Sequence, residues 1–90
     1  MLNRYFIGAN NKTKKLEKDK ILKIALNYYP DGFTFYKSTG YWKGGQEQAG
    51  ILEIIDNSKA KTRKLALELK KELKQDAVLL QRLNLTASFI

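Results

Sequence analysis

The sequence predicts an α+β fold of element order βαββαβ, and three observations carry that prediction. Two stretches, 14–29 and 59–75, repeat apolar residues at helical spacing. Short aromatic and β-branched runs lie before, between and after them. Pro30-Asp31-Gly32 and Gly44-Gly45 supply the chain reversals that divide these runs.

Each element follows in order. Leu2 to Ala9 reads as a strand, broken by Gly8 and by Asn10-Asn11-Lys12. Thr13 is the expected N-cap of a helix from Lys14 to Tyr29. Leu16, Ile21, Ile24, Ala25 and Tyr28 form its apolar stripe, widened by Leu22, Leu26 and Tyr29. Pro30 stops that helix, because it has no N–H to donate and disfavours helical backbone at Tyr29. Phe33 to Lys37 is extended, with Phe33 and Phe35 on one face and Thr34 and Tyr36 on the other. Ser38-Thr39-Gly40 reads as a bulge or loop before Tyr41-Trp42-Lys43 resumes the strand. Gly44-Gly45 fits a tight hairpin turn, and Gln46 to Ile55 is the return strand. Asp56 or Ser58 caps the second helix, whose stripe is Thr62, Leu65, Ala66, Leu69 and Leu73, with Leu67 off it. Ala77 to about Leu85 is the last strand, and 86–90 is a C-terminal tail ending in the apolar pair Phe89-Ile90.

This order is the ferredoxin-like arrangement, in which two helices cover one face of a four-stranded antiparallel sheet. The chain fits it as one domain, 1–90. Glu53 avoids the core and so puts Ala49, Ile51 and Ile55 on the uncovered face. That face is too apolar for water alone, so a homodimer or higher homo-oligomer is expected, with the tail a candidate for its interface.

Composition narrows the function. Seventeen Lys and Arg against nine Asp and Glu give a formal charge of +8, and the chain has neither Cys nor His. Those absences exclude disulfides, Cys or His metal sites, thiol nucleophiles and imidazole triads. No cofactor is implied, and an enzyme is the least expected class. No apolar run reaches the length of a membrane helix, and no signal peptide is legible, so a cytoplasmic protein with no membrane partner is expected. Lys supplies fourteen of the seventeen cations, which favours attraction over bidentate readout.

The candidate ligand residues form three groups. Tyr36, Tyr41, Trp42 and Lys43 interleave aromatic faces with charge, as base stacking and phosphate neutralisation require; cross-strand packing is the alternative. Lys12 and Lys14 precede the first helix, while Lys59, Lys61 and Arg63 open the second. Both helices follow odd strands, so their N-termini and these cations are expected to converge at one end of the sheet as an anion site. Glu47, expected beside Trp42 across the hairpin, is a general base, a ligand contact, or a surface or salt-bridge residue. Glu53 lies roughly 20 Å further along the strand, too far to act with it. Asp31-Gly32 is read as turn chemistry.

Several of these residues together resemble a bacterial and phage family of small αβ proteins of unknown function. The resemblance rests on Phe6-Ile7-Gly8, on Tyr29-Pro30-Asp31-Gly32-Phe33-Thr34, on Gly40-Tyr41-Trp42, on Glu47, and on Gln75-Asp76-Ala77-Val78. It implies the ferredoxin-like fold and no established activity. The chain departs from the family pattern at Glu17-Lys18-Asp19, where an aromatic residue is usual.

The expectation is a non-enzymatic, homo-oligomeric binder of a small anionic nucleotide, such as a cyclic dinucleotide. A phage-type sponge that sequesters cyclic-nucleotide immune signals fits that description. Single-stranded nucleic-acid binding and a protein-interaction scaffold are the alternatives.

Overall fold

A computed structural model describes residues 1–84 and 88, Trp42 by its backbone only. The order is β1 (Leu2–Gly8), α1 (Lys18–Tyr28), β2 (Thr34–Trp42), β3 (Gly45–Ile55), α2 (Lys59–Glu72) and β4 (Leu79–Leu83). The sheet runs β2-β3-β1-β4 with every neighbouring pair antiparallel. This is the ferredoxin-like fold. The expected tail interface falls at 86–90, which lies outside the described residues apart from Ser88.

Strand alternation sorts the side chains. Tyr5 and Ile7 of β1 and Leu52 and Ile54 of β3 are buried under the helices, against Ile21 and Ala25 of α1 and Leu65 and Leu69 of α2. Burying an aliphatic side chain of this size contributes about 2 kcal/mol. Leu67, placed off the stripe from sequence, is exposed. The polar groups that enter this core have partners. The Tyr5 hydroxyl donates to the Thr62 carbonyl at 3.0 Å. The Asn3 amide donates to the carbonyls of Ile54 and Asp56 and accepts from Arg82 Nε at 2.9 Å.

Four local expectations are corrected. α1 begins at Lys18, not Lys14, with Glu17 as a cap whose side chain accepts from no N–H of the helix. Asn10 is the reason: its side-chain oxygen accepts from the N–H groups of Lys12 and Thr13, and its carbonyl accepts from Lys14. A side chain that satisfies those N–H groups competes with helix, and Lys14 takes a left-handed conformation with φ 61°. Residues 38–40 form no bulge, because β2 pairs with β3 without interruption from Thr34↔Glu53 to Trp42↔Gly45. The hairpin turn is Lys43-Gly44, with φ 49° and 78°, the two positive values of a type I′ turn. β4 is shorter than expected, Leu79–Leu83. The cap of α2 is Ser58, whose hydroxyl accepts from Lys61 N at 3.2 Å, while Asp56 accepts from Ser58 N.

One long-range expectation also fails. β1 and β3 are antiparallel, with Gly8 opposite Ala49 and Leu2 opposite Ile55. The helices that follow them therefore start at opposite ends of the sheet, about 20 Å apart. Lys12 and Lys14 do not meet Lys59, Lys61 and Arg63.

Candidate functional site

The uncovered sheet face is organised in cross-strand rows. Tyr36, Ile51, Phe6 and Leu79 stand side by side across all four strands. Ile55, Leu2 and Leu83 form a second apolar row at the far end. Between them Arg4 Nε donates to Glu53 Oε2 at 2.8 Å, neutralising the polar row. Beyond the first apolar row the side chains shrink to Ser38, Ala49 and Gly8, then Gly40 opposite Glu47. The loss of side-chain height beside a wall of large residues leaves an open groove of about 420 Å³.

Phe6, Ile51 and Leu79 wall this groove, and Gly8, Gly40 and Ala49 are among the residues beneath it. Its acidic residues are Glu47 and Asp76, and Asn11, Ser38 and Gln75 add neutral polar groups. Among the described residues that line it, none is Lys or Arg.

Gln75 reaches the groove because of how α2 ends. Lys74 is left-handed, with φ 53°. The N–H of Gln75 donates to the Lys70 carbonyl and that of Lys74 to the Lys71 carbonyl, the paired bonds of a Schellman ending. The reversal brings the Gln75 side chain back over β1, where Nε2 donates to the Ala9 carbonyl at 3.1 Å. That bond fixes the amide and leaves its oxygen facing Gly8.

Glu47 approaches the same place from β3. A side chain on Gly8 would begin 3.0 Å from Glu47 Oε1 and 3.2 Å from Gln75 Oε1. Glycine at position 8 is therefore what admits both oxygens. Among the described residues Glu47 has no hydrogen-bond or ion-pair partner, and it is half-buried.

The ten residues singled out from sequence are dispersed. Tyr41 and Glu47 line the groove. Tyr36 lies in the apolar row above it, opposite Ile51, and alternation puts Tyr41 on the other face of β2. Trp42 closes β2 opposite Gly45, and Glu47 pairs with Gly40, so the expected Trp42–Glu47 pairing does not occur. Lys43 is in the turn. Lys12 and Lys14 occupy the exposed loop before α1. Lys59, Lys61 and Arg63 lie on exposed turns of α2 at the opposite end, where Lys61 Nζ packs over the Tyr29 ring, 4.3 Å from its centre. Gly8, Gln75 and Asp76 also line the groove and are not among those ten. Phe6-Ile7-Gly8 and Gln75-Asp76 stand among the motifs of the resemblance, but a motif in sequence does not show where the chain returning from α2 points.

Among the described residues no group of His, Cys, Asp and Glu could hold a metal ion, and no helix is long and apolar enough to cross a membrane.

Comparison with known proteins adds the fold's relatives. No protein-family model matches the chain, and no curated protein does. Among solved structures, the chain is similar to a phage SAM lyase in the apo state, with TM-score 0.73 and 22% identity over 88% of this chain and 75% of that one. It is similar to a DUF3240 family protein from Shewanella baltica, with TM-score 0.69 and 16% identity over 99% and 96% of the two chains. It is also similar to the periplasmic divalent cation tolerance protein CutA from Archaeoglobus fulgidus, with TM-score 0.54 and 16% identity over 97% and 88%. At these identities the likeness is one of fold.

Proposed function

We propose that this chain binds a small adenosyl-sulfonium ligand, S-adenosylmethionine or a close analogue, in the groove on its open sheet face. The observation that carries the reading is the lining: carboxylates at Glu47 and Asp76, apolar walls, and no described cation. Such a site suits a flat heteroaromatic group joined to a positive centre. It suits a phosphate poorly, because a phosphate would sit beside two carboxylates with nothing to neutralise it. The likeness to a phage SAM lyase supports the same ligand class.

Titration of S-adenosylmethionine by calorimetry, with cyclic dinucleotides as a parallel arm, tests this. Saturable one-to-one binding of the sulfonium compound supports the reading. Binding of cyclic dinucleotides alone overturns it in favour of an anionic nucleotide.

Two ways of using such a ligand follow. In the first, the chain sequesters it without turnover. In the second, the chain is a lyase, a reading favoured by the Glu47 carboxylate inside the groove and by the activity named for the similar phage structure. Chromatography of the ligand after incubation separates them: a sponge returns it intact, whereas a lyase consumes many equivalents.

The same face supports self-association. Among the described residues its charged groups are Arg4, Glu47 and Glu53 on the strands and Asp76 at the groove, with no Lys, in a chain of +8. It is thus the face on which two copies meet without opposing lysines. Ile55 and Leu79 are each more than half exposed there, an area that a second copy would cover while roofing the groove. Light scattering tests it: a monomer at micromolar concentration contradicts the proposal.

A further inference from the structure

The structure assigns a second level of recognition within this groove: the Glu47 and Gln75 oxygens above Gly8 form a subsite for a protonated primary amine. The inference deepens the proposed function and rests on it only for the identity of the whole ligand. The subsite itself rests on geometry. Two oxygens, from different elements, both lie within 3.2 Å of the point where a side chain on Gly8 would start. Each is an acceptor. Glu47 offers carboxylate lone pairs, and the Gln75 amide is held with its nitrogen turned to the Ala9 carbonyl, so its oxygen is what it presents. Two acceptors converging on one small space call for a group with at least two N–H donors. A carboxylate as one of them favours a cationic donor, because charge-assisted hydrogen bonds are roughly twice as strong as neutral ones.

The subsite discriminates among cations. An alkylammonium group has three N–H donors on a compact centre, enough for both oxygens. A sulfonium or quaternary ammonium centre has none, and satisfies the charge without the hydrogen bonds. In a ligand of the S-adenosylmethionine class, the amino group of the amino-acid arm is therefore the group that enters here. The sulfonium lies further along the groove, toward Phe6 and Ile51.

The test uses the full chain and begins with the subsite alone. Nitrogen-15 NMR titration with n-butylammonium, tetramethylammonium and n-butanol reads the Gly8 amide and the Gln75 side-chain amide. The expected result is a saturable shift of both signals with butylammonium and at least a tenfold weaker response to the other two. Equal responses to butylammonium and tetramethylammonium, or no shift with any probe, overturn the subsite. Gly8→Ala keeps the measurement interpretable. Its methyl meets only side-chain atoms of Glu47 and Gln75 and no backbone, so the fold is retained while the space is filled, and the butylammonium response is expected to vanish. A Gly8→Ala variant that responds like the parent chain also refutes the assignment. A separate titration compares S-adenosylmethionine with its analogue lacking the amino group. Tenfold or greater weakening of the analogue is expected, and equal affinity overturns the amine's placement. Failure of both compounds to bind, with butylammonium still shifting Gly8, refutes the proposed ligand and leaves the amine subsite standing.

Discussion

The Tyr29 hydroxyl donates to Asp56 Oδ2 across 2.6 Å, joining the C-cap of α1 to the residue that leads into α2. The end of one helix thus lies beside the start of the other. The bond also has a pH signature. The Tyr29 hydroxyl, followed by the backbone N–H of Ser58, holds the Asp56 carboxyl below its ordinary value of 3.8 despite partial burial. Burial first, and then the bond to Asp56, raise the Tyr29 phenol above its ordinary 10.0. A depressed carboxyl contributes stability that is present above its unfolded value and is lost as pH falls through the folded one. A raised phenol contributes stability that is complete below 10.0 and is lost as pH rises beyond it. Tyr29→Phe is expected to cost about 1 kcal/mol at neutral pH and to flatten the acid limb below pH 3.8, as read by urea unfolding across pH.

Gly50 lies under the Phe35 ring. A methyl at position 50 would begin 2.8 Å from one ring carbon, 2.9 Å from the next and 3.3 Å from Leu16 Cδ2. Phe35 and Leu16 are partly buried and pack against the core, so the ring must shift to admit the methyl. Gly50→Ala is expected to destabilise by about 1–3 kcal/mol, an overpacking cost. Pairing it with Phe35→Leu recovers part of that loss, because the smaller side chain frees the space. Thermal unfolding of the two single variants and the double variant measures the coupling.

Ile55, Leu79 and Leu83 are exposed on a face without lysine. Leu79→Lys is expected to leave the melting temperature of the isolated chain within about 3 °C, since the side chain is already 58% exposed. The same change is expected to reduce the mass seen by light scattering to that of one chain. An unchanged mass would exclude this face as the contact between copies.

Lys12, Lys14, Lys59, Lys61 and Arg63 stand outside the groove and at two ends of the sheet. Neutralising all five to Gln is therefore expected to alter affinity for the groove ligand less than threefold. Binding should also show little dependence on salt. A steep salt dependence that these substitutions abolish would indicate a polyanion partner instead.

Lys74 occupies the left-handed position after α2 that glycine usually fills. Lys74→Gly is expected to raise stability by about 0.5–1 kcal/mol, by removing the Cβ strain at that position. The measurement is the urea midpoint at constant slope. A fall would show that the lysine side chain supports the reversal that delivers Gln75.

Much of the fold was legible in the residues taken one element at a time. The α2 stripe from Thr62 to Leu73, the stop at Pro30 and the sidedness of Phe33, Phe35 and Glu53 all follow from local periodicity, and each appears in the structure. The apolar character of the open face was legible too, because Glu53 sets the phase of its strand. Misreadings arose where a short-range competitor was overlooked. Asn10 satisfies N–H groups just before the helix that Thr13 would cap, and the turn sits one residue earlier than Gly44-Gly45, with Lys43 taking a positive φ.

What the sequence determined by itself, then, is the order of elements, the side of each strand that meets the helices, and the charge and chemistry available. The tertiary structure alone decided which residues share a place. Antiparallel pairing of β1 with β3 sent the two basic helix starts to opposite ends, although each lies directly after its strand in sequence. The same register set Glu47 over Gly8, and the left-handed turn at Lys74 returned Gln75 to meet it. Periodicity reports which way a side chain faces relative to its own element. Register and chain reversal act between elements far apart in sequence, and on them depends whether three residues such as Gly8, Glu47 and Gln75 become one site.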